Sequence, residues 1–170
     1  SAKDLLNEVS KDSIRFMMLN RSNDVELDFD FEKVKEKTKD NPVFYVQYAY
    51  ARINSITRTL KISLNDQISI NSKIFQPNEY EVKIIRKIFE WPKIIDSASY
   101  KLEPHKIPFY LYELSTLFHS YWSKGNEDDN FKFIEKGKIK RKESIIFIYL
   151  IAIVIQNGMG ILGVSLPEKM

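Results

Sequence analysis

From Ile145 to Ile155 the chain reads IIFIYLIAIVI, apolar on every side, and after Ile155 no charged residue appears until Glu168. A helix of this kind needs a bilayer or a protein interior around it, because water gains nothing by wetting any of its faces. The uninterrupted run falls well short of the ~20 residues that span a hydrocarbon core. Gln156-Asn157-Gly158 also breaks the run where a span would continue. The reading adopted is a buried central helix, or one covered by a neighbouring domain. With 170 residues, 44% of them hydrophobic, the chain can bury one sizeable core plus a small appendage.

Around that helix the apolar spacing is three and four almost throughout, which predicts an all-α bundle. Asp4 to Leu19 reads as two short helices, followed by a polar turn from Asn20 to Asp24. Val25 to Phe31 alternates apolar with acidic residues, the period of a half-buried strand or an extended linker, and is the one expected strand. Asp40-Asn41-Pro42 supplies a cap and a first-turn proline for a helix running to about Leu60. Lys61 to Gln76 reads as a long polar connection. Asn78 with Glu81 resembles a capping box for a helix expected to end at Trp91-Pro92, with Ile84, Ile85, Ile88 and Phe89 as its buried stripe. Pro104 opens another helix, whose stripe runs from Ile107 through Tyr110, Leu111, Leu114, Leu117 and Phe118 to Tyr121. Lys124 to Asn130 is a break, and Lys136 to Lys142 is a basic run before the last helix. The predicted division is a connector over 1–40 and a helical bundle over 41–170.

Most catalytic chemistries lack their residues here. There is no cysteine, which excludes disulfides, thiolate zinc sites and thiol nucleophiles together. Only His105 and His119 are present, without clustered ligands, so no metal site is expected. His119 lies off the apolar stripe and is expected to be partly exposed and bonded to water; His105 reads as local structure in the first helical turn. Gly158 to Gly163 matches G-x-G-x-x-G, but a dinucleotide fingerprint needs a strand before it and an acidic residue about 20 positions on. Only seven residues follow Gly163, so a glycine-capped helix end is the better reading. Lys+Arg exceed Asp+Glu by 26 to 23, too slight an excess to indicate a partner. The basic run and nearby aromatics are, however, the ingredients of a single-stranded nucleic-acid site. Ser1 to Ser10 lacks the apolar core of a signal peptide, and a cytoplasmic location is expected.

The segment Asn41-Pro42-Val43-Phe44-Tyr45-Val46-Gln47-Tyr48-Ala49-Tyr50-Ala51-Arg52-Ile53 resembles the signature N-P-x-x-Y-V-Q-Y-A-H-A-R-I of arginyl-tRNA synthetases, where their DALR-type anticodon-binding domain begins. Trp91-Pro92, Leu102-Glu103-Pro104-His105, Tyr110 to Leu114 and Phe118-His119-Ser120 are similar to the same family, as are Asn157-Gly158, Leu162-Gly163-Val164 and Pro167 to Met170. Upstream, Asp12 to Phe16 and Leu27 to Asp30 look like the family's connector after its lysine loop. The resemblance covers essentially the whole chain, in order. It lacks the His-Ile-Gly-His and lysine-serine elements that hold ATP. Tyr50 stands where histidine is usual, and Ser144 and Ala152 stand where the last helix usually carries arginines.

The resemblance implies a helical-bundle anticodon-binding domain of the class I synthetases, preceded by a short stem-contact connector. Implied partners are arginine tRNA and the enzyme's own catalytic domain, with no DNA or membrane partner and a monomeric state. No catalysis and no cofactor are expected of this stretch, ATP and magnesium belonging to the catalytic domain. The residues implied to meet tRNA are Tyr45, Tyr48, Arg52, Tyr121 and Met170, with Trp122 added as a large aromatic expected to be exposed. Tyr45, Tyr48 and Arg52 stand three, four and seven apart, so a helix sets them on one face. The rival reading is a helical protein-interaction domain that docks through an exposed apolar surface.

Overall fold

Asn41 caps the first long helix. Its side chain accepts from the Phe44 amide at 3.4 Å while its amide group donates to the carbonyls of Val34 and Glu36 at 2.7 and 2.9 Å. This cap joins a short helix, α2 (Phe31–Lys35), to α3 (Pro42–Leu60), which Pro42 starts and Lys61 ends in the left-handed conformation. The computed structural model describes residues 9–22, 24–25, 31–62 and 76–170. The remaining elements are α1 (Lys11–Leu19), α4 (Glu79–Tyr100), α5 (Lys106–Glu127), a 3-10 turn at Asp129–Phe131, a hairpin of β1 (Ile134–Glu135) and β2 (Lys138–Ile139), and α6 (Lys142–Leu162). The chain is therefore all-α with one small hairpin among the described residues.

Helix α6 touches α1, α3, α4 and α5. By length and apolarity alone the stretch Glu143–Leu162 is enough to cross a membrane. Here Ile145, Ile148, Ile151 and Ile155 are fully buried by the other helices. Each such side chain contributes about 1.5–3 kcal/mol of burial. The helix runs on through Gln156-Asn157-Gly158 to the glycine-capped end expected from the sequence. It continues because Gly158 lets it press against Leu111 and Trp91, where a Cβ would stand 2.8 Å from a Leu111 methyl. Gly163, at φ 65°, supplies the left-handed cap. The nearby Arg15 side chain donates to the Leu162 carbonyl. The three glycines thus serve a helix end and leave no dinucleotide fold.

Two other expectations change. Helix α4 continues past Pro92 to Tyr100, because Ile94, Ile95 and Ala98 pack on the core and outweigh the one hydrogen bond that proline removes. Of its expected stripe, Ile84 is buried, Ile85 and Ile88 are partly so, and Phe89 is 80% exposed. Helix α5 starts at Lys106, two residues after Pro104. The predicted strand at Val25 to Phe31 lies largely outside the described residues, as do Asp4 to Glu8 and most of the connection from Lys61 to Gln76. The sheet that is present instead arises from the basic run, where Lys136 and Gly137, at φ 47° and 71°, make the left-handed two-residue turn that suits a tight hairpin.

A buried carboxylate ties these parts together. Glu81 completes the α4 capping box by accepting from the Asn78 amide at 2.8 Å. It also accepts from Arg141 Nε and Nη2 at 2.9 and 2.8 Å, from the Tyr121 hydroxyl at 3.0 Å and from Ser144 Oγ at 3.1 Å. One fully buried acid thereby fixes the starts of α4 and α6 to the last turns of α5. Replacing Glu81 with Ala is expected to cost about 3 kcal/mol, since it strands a guanidinium and two hydroxyls. Urea unfolding of the variant would show a lower midpoint, and an unchanged midpoint would contradict this role.

Candidate nucleic-acid interface

The cap at Asn41 fixes the phase of α3, and that phase decides where its aromatic residues lie. Val43, Val46, Ala49, Ile53 and Ile56 face the core. Tyr45, Tyr48 and Arg52 then fall on the flank that packs along α5, and all three are half-buried. From α5, Tyr112, Thr116, His119 and Trp122 come up to meet them at helical spacing.

Arg52 is the centre of this contact. Its guanidinium carbon lies 4.4 Å from the centre of the Tyr48 ring and 5.5 Å from that of Trp122. Nη2 donates to the Tyr48 hydroxyl, and Nη1 donates to His119 Nδ1 at 3.4 Å. Because arginine only donates, Nδ1 must be the acceptor, so Nε2 carries the proton and donates to the Tyr45 carbonyl at 3.3 Å. Burial, opposed in part by that carbonyl and aided by the Arg52 charge, pushes the His119 pKa down to about 4. The imidazole is neutral at pH 7. Among the described residues Arg52 has no carboxylate partner, so its charge is held by neutral groups alone.

Tyr48, Arg52 and Trp122 line an open groove of about 510 Å³ with Ala51, Ser55, Ile56, Arg58, Thr59, Ile134, Lys169 and Met170. No acidic side chain is among these lining residues, and three of them are cationic. The tail after α6 reaches the groove by folding back along α3. Gln47 donates to the Ser165 carbonyl and Arg58 to that of Glu168, both at 2.9 Å, and Ser165 also contacts Asp12 of α1. That path leaves Met170 at the groove, 55% exposed.

Four of the six residues implied to meet tRNA therefore converge: Tyr48, Arg52, Trp122 and Met170. Tyr45 stands beside the groove, its ring packed on those of His119 and Tyr112 at 4.4 and 5.2 Å, and burial raises its hydroxyl pKa. Tyr121 does not belong with them. Its ring has no exposed surface, and its hydroxyl is held by Glu81, Ser144 and Asn78; burial pushes its pKa up to about 12. It continues the α5 core stripe, one position before the flank that carries Trp122. Trp122 itself is half-buried against Phe133 and does not stand free. Tyr48, too, carries Arg52 over its face and Phe44 stacked at 5.7 Å, so its ring is not a bare platform.

The sequence reading placed His119 in water, whereas it is 7% exposed. The error lies in giving α5 one stripe, since packing on α3 as well as on α4 and α6 requires a second, through Ser115, His119 and Trp122. Arg58, Thr59 and Lys169 were missed entirely, for only the groove brings these chain-distant residues together. Ser144 and Ala152, where the family usually has arginines, are fully buried and do not face it.

A histidine that is neutral when folded gives a definite pH response. The unfolded chain, with an ordinary pKa of 6.5, binds a proton that the folded form refuses until about pH 4. Stability is therefore full above pH 6.5, falls through this window and levels off below it, a loss of about 3 kcal/mol. Urea unfolding from pH 7.5 to 4 should show this fall in excess of that in His119→Gln. Parallel pH profiles for the two proteins would contradict the buried neutral state.

Comparison with known proteins shows the family. Residues 46–170 match the DALR anticodon binding domain family. The arginine–tRNA ligase of Pelagibacter ubique is 52% identical over 170 residues, covering 100% of this chain and 30% of that protein. That of Rhizobium etli is 42% identical over 179 residues, covering 99% of this chain and again 30% of the relative. A Campylobacter jejuni chain assigned as an arginyl-tRNA synthetase superposes with a TM-score of 0.83 over 98% of this chain and 35% of its own, a likeness of fold at 23% identity. The present chain thus spans about 30% of the length of its curated relatives. It belongs to the DALR anticodon-binding family of arginyl-tRNA synthetases, as their anticodon-binding part and not their catalytic part.

Proposed function

We propose that this domain binds the anticodon stem and loop of arginine tRNA and thereby positions the acceptor end for arginylation by the catalytic part of a longer enzyme. The observation that carries the reading is Arg52, an arginine fixed over two aromatic faces and a neutral histidine, with no acidic side chain paired to it among the described residues, in a groove lined by no acidic side chain. Such a group is ready for a phosphate or for the acceptor edge of an unstacked base. Trp122 and the rim of Tyr48 supply apolar surface for that base, and loop nucleotides, unlike those of an A-form stem, have theirs free. Met170 closes one side. Residues 1–40 are the connector to the catalytic part and 41–170 the binding bundle. ATP and magnesium act in the catalytic part, in the cytoplasm, and the enzyme works as a monomer.

Gripping the anticodon end spends binding energy on orientation, so that a remote contact assists the chemistry without touching it. A second reading, protein docking, draws on the exposed Leu150, Ile153 and Ile161 of α6. One titration separates the two. Arginine tRNA transcript should bind saturably and more weakly as salt rises. Arg52→Ala should weaken binding at least about tenfold, in keeping with a charge-assisted hydrogen bond, and Trp122→Ala should cost about 1–3 kcal/mol of stacking. Tyr121→Phe should leave affinity unchanged. Salt-indifferent self-association with no tRNA binding would overturn the proposal and favour docking.

A further inference from the structure

The hairpin at 134–139 is held against the groove more firmly than a surface loop requires. Phe133, 2% exposed, anchors its base between Tyr121 and Trp122 at ring separations of 5.3 and 5.5 Å, and the Lys140 amide donates to the Phe133 carbonyl at 2.9 Å. Arg141, immediately after it, is locked to Glu81. The preceding turn fits closely under α5, since a Cβ at Gly125 would meet Lys132 Cα and the Phe131 carbonyl oxygen at 3.2 Å. The tip leans toward the end of α3: a Cβ on Gly137 would stand 3.9 Å from the Thr59 methyl. Ile134 and Thr59 both line the groove, so the hairpin forms one of its walls.

The lysines of this wall fall into two kinds. Lys132 pairs with Asp129 at 3.3 Å, and Lys140 donates to the Asp129 carbonyl at 3.0 Å. Lys136 and Lys138, at the exposed turn, have no ion pair among the described residues, although Glu135 stands opposite Lys138 in register. Lys136 occupies a left-handed position that favours Asn or Gly, so local backbone preference does not account for a lysine there. Arg58 and Lys169 continue the positive charge around the groove.

We infer that the hairpin is a phosphate-contacting arm: Lys136 and Lys138 meet the backbone of the RNA strand whose base enters the groove beside Arg52. The inference rests on the proposed tRNA reading and adds a second, sequence-independent contact to it. Neutralising two contacts to single-stranded phosphates should lower the slope of log affinity against log salt by about 1.4. That corresponds to roughly a 25-fold loss at 0.1 M salt, vanishing toward 1 M.

The test uses Lys136→Asn with Lys138→Gln, Asn being chosen because it accepts the left-handed backbone. Lys93→Gln, on the exposed side of α4, serves as a control for loss of charge as such. Affinity for arginine tRNA transcript is measured between 0.05 and 0.5 M KCl at roughly constant pH, with urea midpoints confirming the fold. A reduced slope in the paired variant, with Lys93→Gln like the parent, supports the arm. Parent-like slope and affinity in the paired variant would overturn it while leaving the groove reading intact. An equal fall in Lys93→Gln would also overturn it, by tracing the effect to net charge. A parent protein that binds no tRNA would remove the reading and the arm together.

Discussion

Helix α6 has no charged side chain between Glu143 and Glu168, and water cannot be its partner over most of its length. Covering it requires α1, α3, α4 and α5 to lie around it, and each of their apolar stripes is spent on that task or on one another. The cover has a geometric consequence. Helix α5 must pack on two sides at once, against α4 and α6 through Tyr110, Leu114 and Tyr121, and against α3 through Ser115 and His119. The seam with α3 is where the arginine and the rings meet.

That seam uses polar groups in an apolar setting, and it works because each finds a hydrogen-bond partner within it. His119 gives up its proton affinity to become an acceptor for Arg52, and its other nitrogen is satisfied by a helix carbonyl. Arg52 receives hydrogen-bond partners and ring faces, but no negative charge among the described residues. Arg141 meets a buried carboxylate and serves the fold, whereas Arg52 lies at an open groove and has no carboxylate partner among the described residues.

Local signals were legible in the sequence because their causes are local. Asn41-Pro42 and the Asn78–Glu81 box set helix starts with atoms from neighbouring residues, and Gly163 ends α6 through its own backbone freedom. The four-segment resemblance carried the family, and periodicity carried the helical class. What failed depends on residues far apart in the chain. Pro92 looked like a stop because its lost bond is visible in the sequence, while the packing of Ile94 and Ala98 is not. Tyr121 looked like a site residue until Glu81, forty positions earlier, claimed its hydroxyl. His119 lies on the second face of α5, which only the presence of α3 defines. The hairpin escaped notice because its strands are two residues each, too short for a periodic signal.

The central claim is that nucleic acid enters the groove beside Arg52, and Trp122 is a reporter already in place. The chain has only two tryptophans, so Trp91→Phe leaves Trp122 as the sole indole. Titrating that protein with the anticodon stem and loop of arginine tRNA should change Trp122 emission saturably, with the same midpoint as binding measured directly. Tight binding with Trp122 emission unaltered would place the RNA elsewhere and contradict the account.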